Sequence, residues 1–412
     1  MIQPITPPHN LPTSLQALFL RMNQPEGGKE LDAKGIRTIT DWLYHERWHQ
    51  DLADLAELEW LLHWLMPEQL ERRIEIADAV SMMNLEAGNI DAAIALTQAL
   101  LSECDDFGLR HTHALALAAQ GNLTAATQTL EHALKQPDTR ALPPEQIIQA
   151  QLDLARIYQN NRALFKAIAP MKQAIAQAKA HQSDDLLLEG VQLLIEQLID
   201  QGGMDEAWDT LWPLLSQEPG PLQQALWALA FTKLGQVLSS EDIDQGAAFF
   251  LATKNPDPLV QLMIRRAETA RDHQTLLLAF ILGLMFLAPI DVTAPMAAKL
   301  LRRDADRQKP TAPLIAAATM ALAEIPDERS IKRAHWYRDA MMQLISVAQH
   351  QGVPEAAVKQ WAIDAELLLE HQIIERTTQA LIKELTHTPP WLYEALTLSA
   401  AIKAQKTATP QA

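Results

Sequence analysis

The sequence predicts an all-α protein, an α-solenoid of helical hairpins in series, and three observations carry that expectation. Glycine (14) and tyrosine (4) are scarce among the 412 residues while Ala and Leu dominate, a balance that helices favour and sheets do not. Prolines fall mostly in short gaps, at Pro137, Pro143 with Pro144, Pro219 with Pro221, Pro256 with Pro258, Pro310 with Pro313, and Pro389 with Pro390, where they end helices. A small turn residue is followed five positions later by alanine at Gly88 and Ala93, Gly121 and Ala126, and Gly202 and Ala207, the internal recurrence that marks a repeat array. The apolar share of 48% supplies a buried core and argues against wholesale disorder.

Charge and composition narrow the function classes. With 34 basic and 51 acidic side chains the net charge is −17, which repels phosphate backbones and anionic lipid, so no nucleic-acid partner is expected and a membrane is disfavoured. Cys104 is the one cysteine and cannot form an internal disulfide. The longest apolar run in the first thirty residues, Ala17 to Leu20, is far too short for a secretory signal, so a cytoplasmic protein is expected. No G-x-x-x-x-G-K-[ST] loop, G-x-G-x-x-G turn or G-x-S-x-G elbow occurs, and no cofactor is called for.

Along the chain, residues 1–30 carry Pro4, Pro7, Pro8, Pro12 and Pro25 with Gly27 and Gly28, which predicts an extended lead-in. Residues 31–73 predict a tryptophan-rich helical cap with Trp42, Trp48, Trp60 and Trp64; Trp60 and Trp64 share a helical face. These rings read either as packing against the first repeat or as an exposed patch for a partner. The same stretch contains His45-Glu46-Arg47-Trp48-His49, the H-E-x-x-H pattern that places two histidines on one helix face to hold zinc. With Glu68 as third ligand, the spacing resembles gluzincin metallopeptidases. Arg47 stands where that motif expects an uncharged residue, and the MPEQL context of Glu68 departs from the family's glutamate helix. The expectation is a protein that is not an enzyme and holds no metal, with a zinc metallopeptidase using residues 45–49 as an alternative.

Residues 74–220 carry the clearest repeats: GNIDAAIALTQALL, GNLTAATQTLEHAL and GGMDEAWDTLWPLL, with a further copy in which Arg162 takes the turn, preceded by Tyr158 and followed by Ala167. A tight turn followed by a helix whose alanine allows close approach makes a hairpin. One hairpin cannot cover its own apolar faces, whereas a stack can. These residues resemble the tetratricopeptide repeat, a helical hairpin of about 34 residues with a small residue in its first helix, glycine at the turn, alanine five further on and a closing proline. Leu198, Gly202, Ala207, Leu211, Leu214 and Pro219 follow that pattern best, and Ser81, Ala114 and Ala155 supply the small residue of other units. The family's tryptophan is absent throughout. The resemblance implies a right-handed α-solenoid.

Residues 221–335 show no convincing unit and read as degenerate helical repeats or a helical bundle. Within them Leu276 to Ile290 is uncharged over fifteen residues and contains Pro289. As a helix it spans about 22 Å, short of the roughly 30 Å hydrocarbon core of a bilayer. It reads as a helix buried on all sides, either the centre of a core or a contact with another chain, and a membrane-associated or oligomeric scaffold using 276–290 is a further alternative. Residues 336–395 predict a C-terminal hairpin of the same kind, with Gly352 and Ala357 at its turn, and further helices; residues 396–412 predict a frayed tail.

The resemblance implies binding on the concave face lined by the first helix of each hairpin. That frame selects Glu75, Asp78, Met82, Leu85 and Glu86, then His111 and Leu115, then Gln149, Leu152, Arg156, Gln159 and Asn160, then Glu189, Gln192, Glu196, Ile199 and Asp200. Relatives that clamp a carboxylate use lysine and asparagine on this face; here the frame supplies acids. The expected partner-binding residues are Glu75, Asp78, Met82, Glu86, His111, Arg156, Glu189, Gln192, Glu196 and Asp200, receiving a basic or amphipathic protein segment, unless the acids are a solvated helix face. The expected function is a non-enzymatic scaffold or adaptor in assembly, secretion or regulation.

Overall fold

A computed structural model describes residues 4–24, 33–136, 142–269, 272–286, 288, 292–293, 295–297, 299–300 and 374–408. Among them there is no strand; the protein is all-α. The chain divides into two compact units, Met1–Gln197 and Leu198–Ala412, and the division falls inside a helix.

The first unit begins with α1 (Thr13–Met22), α2 (Ala33–Leu43), a π-helical turn (Tyr44–Trp48) and α3 (Leu55–Trp64). The expected extended lead-in therefore contains a helix. Pro12, at φ −55°, stands at its N-cap, and the next ten residues contain no proline, so the prolines bound the helix rather than break it. Phe19 of α1 stacks on Trp60 of α3 with ring centroids 4.9 Å apart. Trp60 is fully buried, and Trp42, Trp48 and Trp64 pack against the same core. The tryptophans thus fill the core of the cap rather than form an exposed patch.

Seven helices follow in that unit: α4 (Leu70–Glu86), α5 (Ile90–Leu101), α6 (Phe107–Ala119), α7 (Leu123–Leu134), α8 (Pro144–Asn160), α9 (Leu164–His181) and α10 (Asp184–Asp200). From α4 to α9 each packs on the next, while α4 also packs on α6 and α6 on α8, the neighbour arrangement of a helical repeat stack. The turns that define the repeats are one structure used several times. Gly88, Gly121 and Gly202 have φ of +79°, +91° and +80°, and Arg162 adopts +55°. In each the following amide reaches back five residues: Asn89 to Asn84, Asn122 to Leu117, Ala163 to Tyr158 and Gly203 to Leu198, at 2.7–2.9 Å. This is the Schellman closure that satisfies the last carbonyls of a helix. Ala93, Ala126, Ala167 and Ala207, and likewise Ser81, Ala114 and Ala155, are fully buried, as small residues are where packed helices approach closely.

The second unit contains α11 (Met204–Leu211), α12 (Pro221–Lys233), α13 (Ser240–Ala252), α14 (Asp257–Thr269), α15 (His273–Met285), α16 (Ile374–Lys383) and α17 (Leu392–Ala408). The turn from α13 to α14 repeats the closure seen above, with Lys254 at φ +57° and Asn255 N–H donating to Phe250 at 2.9 Å. Sequence reading missed this hairpin because lysine replaces glycine and Leu259 replaces alanine. From α12 and α13, Trp227, Phe231, Phe249 and Phe250 interlock as an aromatic core.

In α15 every side chain from Leu276 to Met285 is buried except Leu278, which is half-buried, and the helix packs on α14, α16 and α17. Leu276–Met285 is thus the centre of a core. No helix among the described residues is long and apolar enough to cross a membrane. The tail expected to fray is helical to Ala408. Leu392 and Ala395 are fully buried, and Ser399 donates to the Met285 carbonyl at 2.5 Å, which ties the last helix down. The expected hairpin at Gly352 and Ala357 lies outside the described residues.

Candidate partner-binding face

Stacking the hairpins brings α4, α6, α8 and α10 side by side, and their polar residues form a ladder. Glu75 accepts from the Tyr44 hydroxyl and, at 2.7 Å, from Trp48 Nε1. Asp78 accepts from Thr112 at 2.5 Å. His111 Nε2 lies 2.9 Å from Asp153 Oδ2. Arg156 donates to Asp153 at 2.9 Å and to Glu189 at 2.6 Å, and Gln159 donates to Gln197 at 2.9 Å. Glu75 thus ties α4 to the π-helical turn of the cap, and the remaining rungs join consecutive first helices.

This geometry divides the expected partner-binding residues into two groups. Glu75, Asp78, His111, Arg156 and Glu189 spend polar atoms on one another or on neighbouring helices. Met82, Glu86, Gln192, Glu196 and Asp200 are exposed. Sequence reasoning missed Asp153, the centre of the ladder. Its signal is an acid inside the apolar run Leu152, Leu154, Ala155, three residues before an arginine; a buried carboxylate demands a partner.

The electrostatics differ from rung to rung. Burial opposes ionisation of Asp153, but the His111 hydrogen bond and charge, with the Arg156 hydrogen bond, hold its carboxyl below the ordinary value. Burial dominates at Asp78 and pushes its carboxyl up, despite the Thr112 hydrogen bond and the nearby His111. Burial, then Glu75, pushes the Tyr44 phenol up to about 12. A phenol that ionises later in the folded chain than in the unfolded one contributes stability fully below the unfolded value near 10, lost as pH rises toward 12. Tyr44→Phe should flatten this alkaline loss, measured as the change in urea midpoint between pH 9 and pH 11; an unchanged slope counts against the Tyr44–Glu75 contact.

The H-E-x-x-H residues lie on the π-helical turn, with His49 at its C-cap. Arg47 forks onto Glu57 of α3 at 2.8–3.0 Å, a mostly buried pair that fixes the cap. Tyr44 and Trp48, i and i+4, both reach Glu75. The His45 and His49 rings stack with centroids 5.6 Å apart, Glu46 is exposed beside Gln50, and no group of three His, Cys, Asp or Glu side chains suited to a metal ion occurs among the described residues.

Neither a family model nor a curated protein matches the chain. Among solved structures, it is similar to a circular tandem repeat protein with novel repeat topology and enhanced subunit contact surfaces, at 14% identity over 96% of this chain and 94% of that one, with a TM-score of 0.17. A likeness at that score carries no argument, and the fold rests on the helices and turns described above.

Proposed function

We propose that the protein is a non-enzymatic, cytoplasmic scaffold or adaptor whose tetratricopeptide-like first helices receive a basic or amphipathic segment of another protein, in assembly, secretion or regulation. The observation that carries this reading is the side-by-side alignment of α4, α6, α8 and α10 within the first unit, joined by its own ladder and leaving Met82, Glu86, Gln192 and Glu196 exposed. A pre-ordered face avoids much of the ordering cost of binding. Met82, 36% exposed, offers an adaptable apolar contact, and the acids at the rim select for positive charge.

The test is titration of the full chain with fluorescent amphipathic helical peptides of matched hydrophobicity and opposite charge. Basic peptides are expected to bind in preference to acidic ones. Glu86→Lys combined with Gln192→Lys should weaken them about tenfold without moving the melting temperature, since both side chains are exposed. Glu189→Lys is the wrong probe because it breaks the Arg156 contact. Equal binding of acidic and basic peptides, or binding unchanged in the double variant, overturns the reading.

A further inference from the structure

We propose that the cleft between α12, the end of α14 and the start of α15 binds the phosphate group of a small phosphate monoester. The site lies in the second unit and is independent of the partner-binding face. It is a cavity of about 520 Å³ whose lining includes Lys233, Arg265, Arg266, Thr232 and Asp272, a size suited to a small metabolite.

The two adjacent arginines carry the argument. Arg265 uses three N–H groups on the carbonyls of Gln261 (3.3 Å), Thr232 (2.8 Å) and Phe231 (3.3 Å). Arg266 uses two on the carbonyls of Gly235 (2.9 Å) and Leu238 (2.5 Å). All these acceptors are neutral, and among the described residues neither arginine pairs with a carboxylate. A guanidinium has five N–H donors in a planar fork, so Arg265 keeps two and Arg266 three beyond their duty of closing the end of α12 and the loop after it. Burial opposes the Arg266 charge, in a chain that otherwise has an excess of acids.

A bound anion would balance this charge. Arg265 and Arg266 together bring two positive charges to the lining, and the carboxylate there, Asp272, accepts from the Thr275 amide through Oδ1 at 2.6 Å. The two guanidinium charges match a phosphate monoester, which carries about −1.5 to −2 at neutral pH, and arginine forks fit its oxygens in pairs. The net charge of −17 works against a polyanionic nucleic-acid backbone and leaves a small ligand as the occupant.

The experiment is calorimetric titration of the full chain with inorganic phosphate, with acetate as comparison, at constant ionic strength. Saturable binding of phosphate at one site, with acetate at least about tenfold weaker, is expected from the pairing of two forks with a dianion. Arg266→Gln should weaken phosphate about tenfold or more. Because Arg266 also holds Gly235 and Leu238, a second variant, Thr232→Glu, places a carboxylate at the exposed rim and leaves both arginines their carbonyl partners. It should abolish binding with an unchanged melting curve. Absence of saturable phosphate binding, acetate binding as tightly as phosphate, or an affinity unchanged in Thr232→Glu overturns the proposal.

Discussion

Replacing Asp153 with alanine is expected to destabilise the first unit by about 3 kcal/mol, the lower end of the cost of removing one partner from a buried ion pair. Asp153 is 9% exposed and joins three groups, since His111, Arg156 and Gln149 all reach its carboxylate. Without it, His111, whose side chain is 16% exposed, faces α8 with no acceptor. Arg156 is more exposed and keeps Glu189, which is why the cost stays at the lower end. Because its folded-state carboxyl is held below the ordinary value, Asp153 contributes stability above the unfolded value near 3.8, lost as pH falls through the lower folded value. Asp153→Asn should therefore lower stability at pH 7 and shrink the difference between pH 7 and strongly acidic conditions. Asp78→Asn should do the opposite at pH 7, leaving stability unchanged or raised, since burial disfavours the Asp78 charge and an amide oxygen can still accept from Thr112. Urea denaturation of both variants across pH checks the pair; equal losses at pH 7 would show that the ladder is not polarised in this way.

Gly246→Ala is expected to destabilise the second unit by about 1–3 kcal/mol, the usual cost of overpacking. The sign is the informative part. In the middle of a helix such as α13, replacing glycine with alanine ordinarily gains about 0.5–1 kcal/mol. Here a Cβ would meet the Phe231 ring, at 2.5 Å from Cε1 and nearer still to Cζ, and stand 2.9 Å from Cε3 of Trp227. Both rings are buried between α12 and α13 and cannot yield without disturbing Phe249 and Phe250. A thermal melt followed by far-ultraviolet circular dichroism reads the change in midpoint. A stabilised variant would refute the close approach of α12 and α13.

Much of the first unit was legible because its signals are local. The positive φ at Gly88, Gly121 and Gly202 follows from the backbone freedom of glycine, and the buried alanines follow from spacing along one helix. Arg162 shows how far pattern can carry, because the surrounding repeat identified a turn that its own residue type disfavours. Lys254 shows the limit: the same turn with no alanine after it leaves nothing for the repeat to announce. The candidate face was legible as positions but not as charges, because Asp78, Arg156 and Glu189 act through helices 33 or 34 residues away along the chain.

By itself the sequence determined the helical class, the repeat turns, the buried character of Leu276 to Met285 and the absence of phosphate loops built on glycine, since each depends on composition or on residues within a few turns of one another. Only the tertiary structure decided that the tryptophans are core, that α1 and α17 are ordered helices, that half of the expected face is tied into a ladder, and that Arg265 and Arg266 close the end of α12 while lining a cavity. Those outcomes depend on which groups meet after packing. A buried charge has one energy beside an opposite charge and another beside a carbonyl, and spacing along the chain does not say which it will meet.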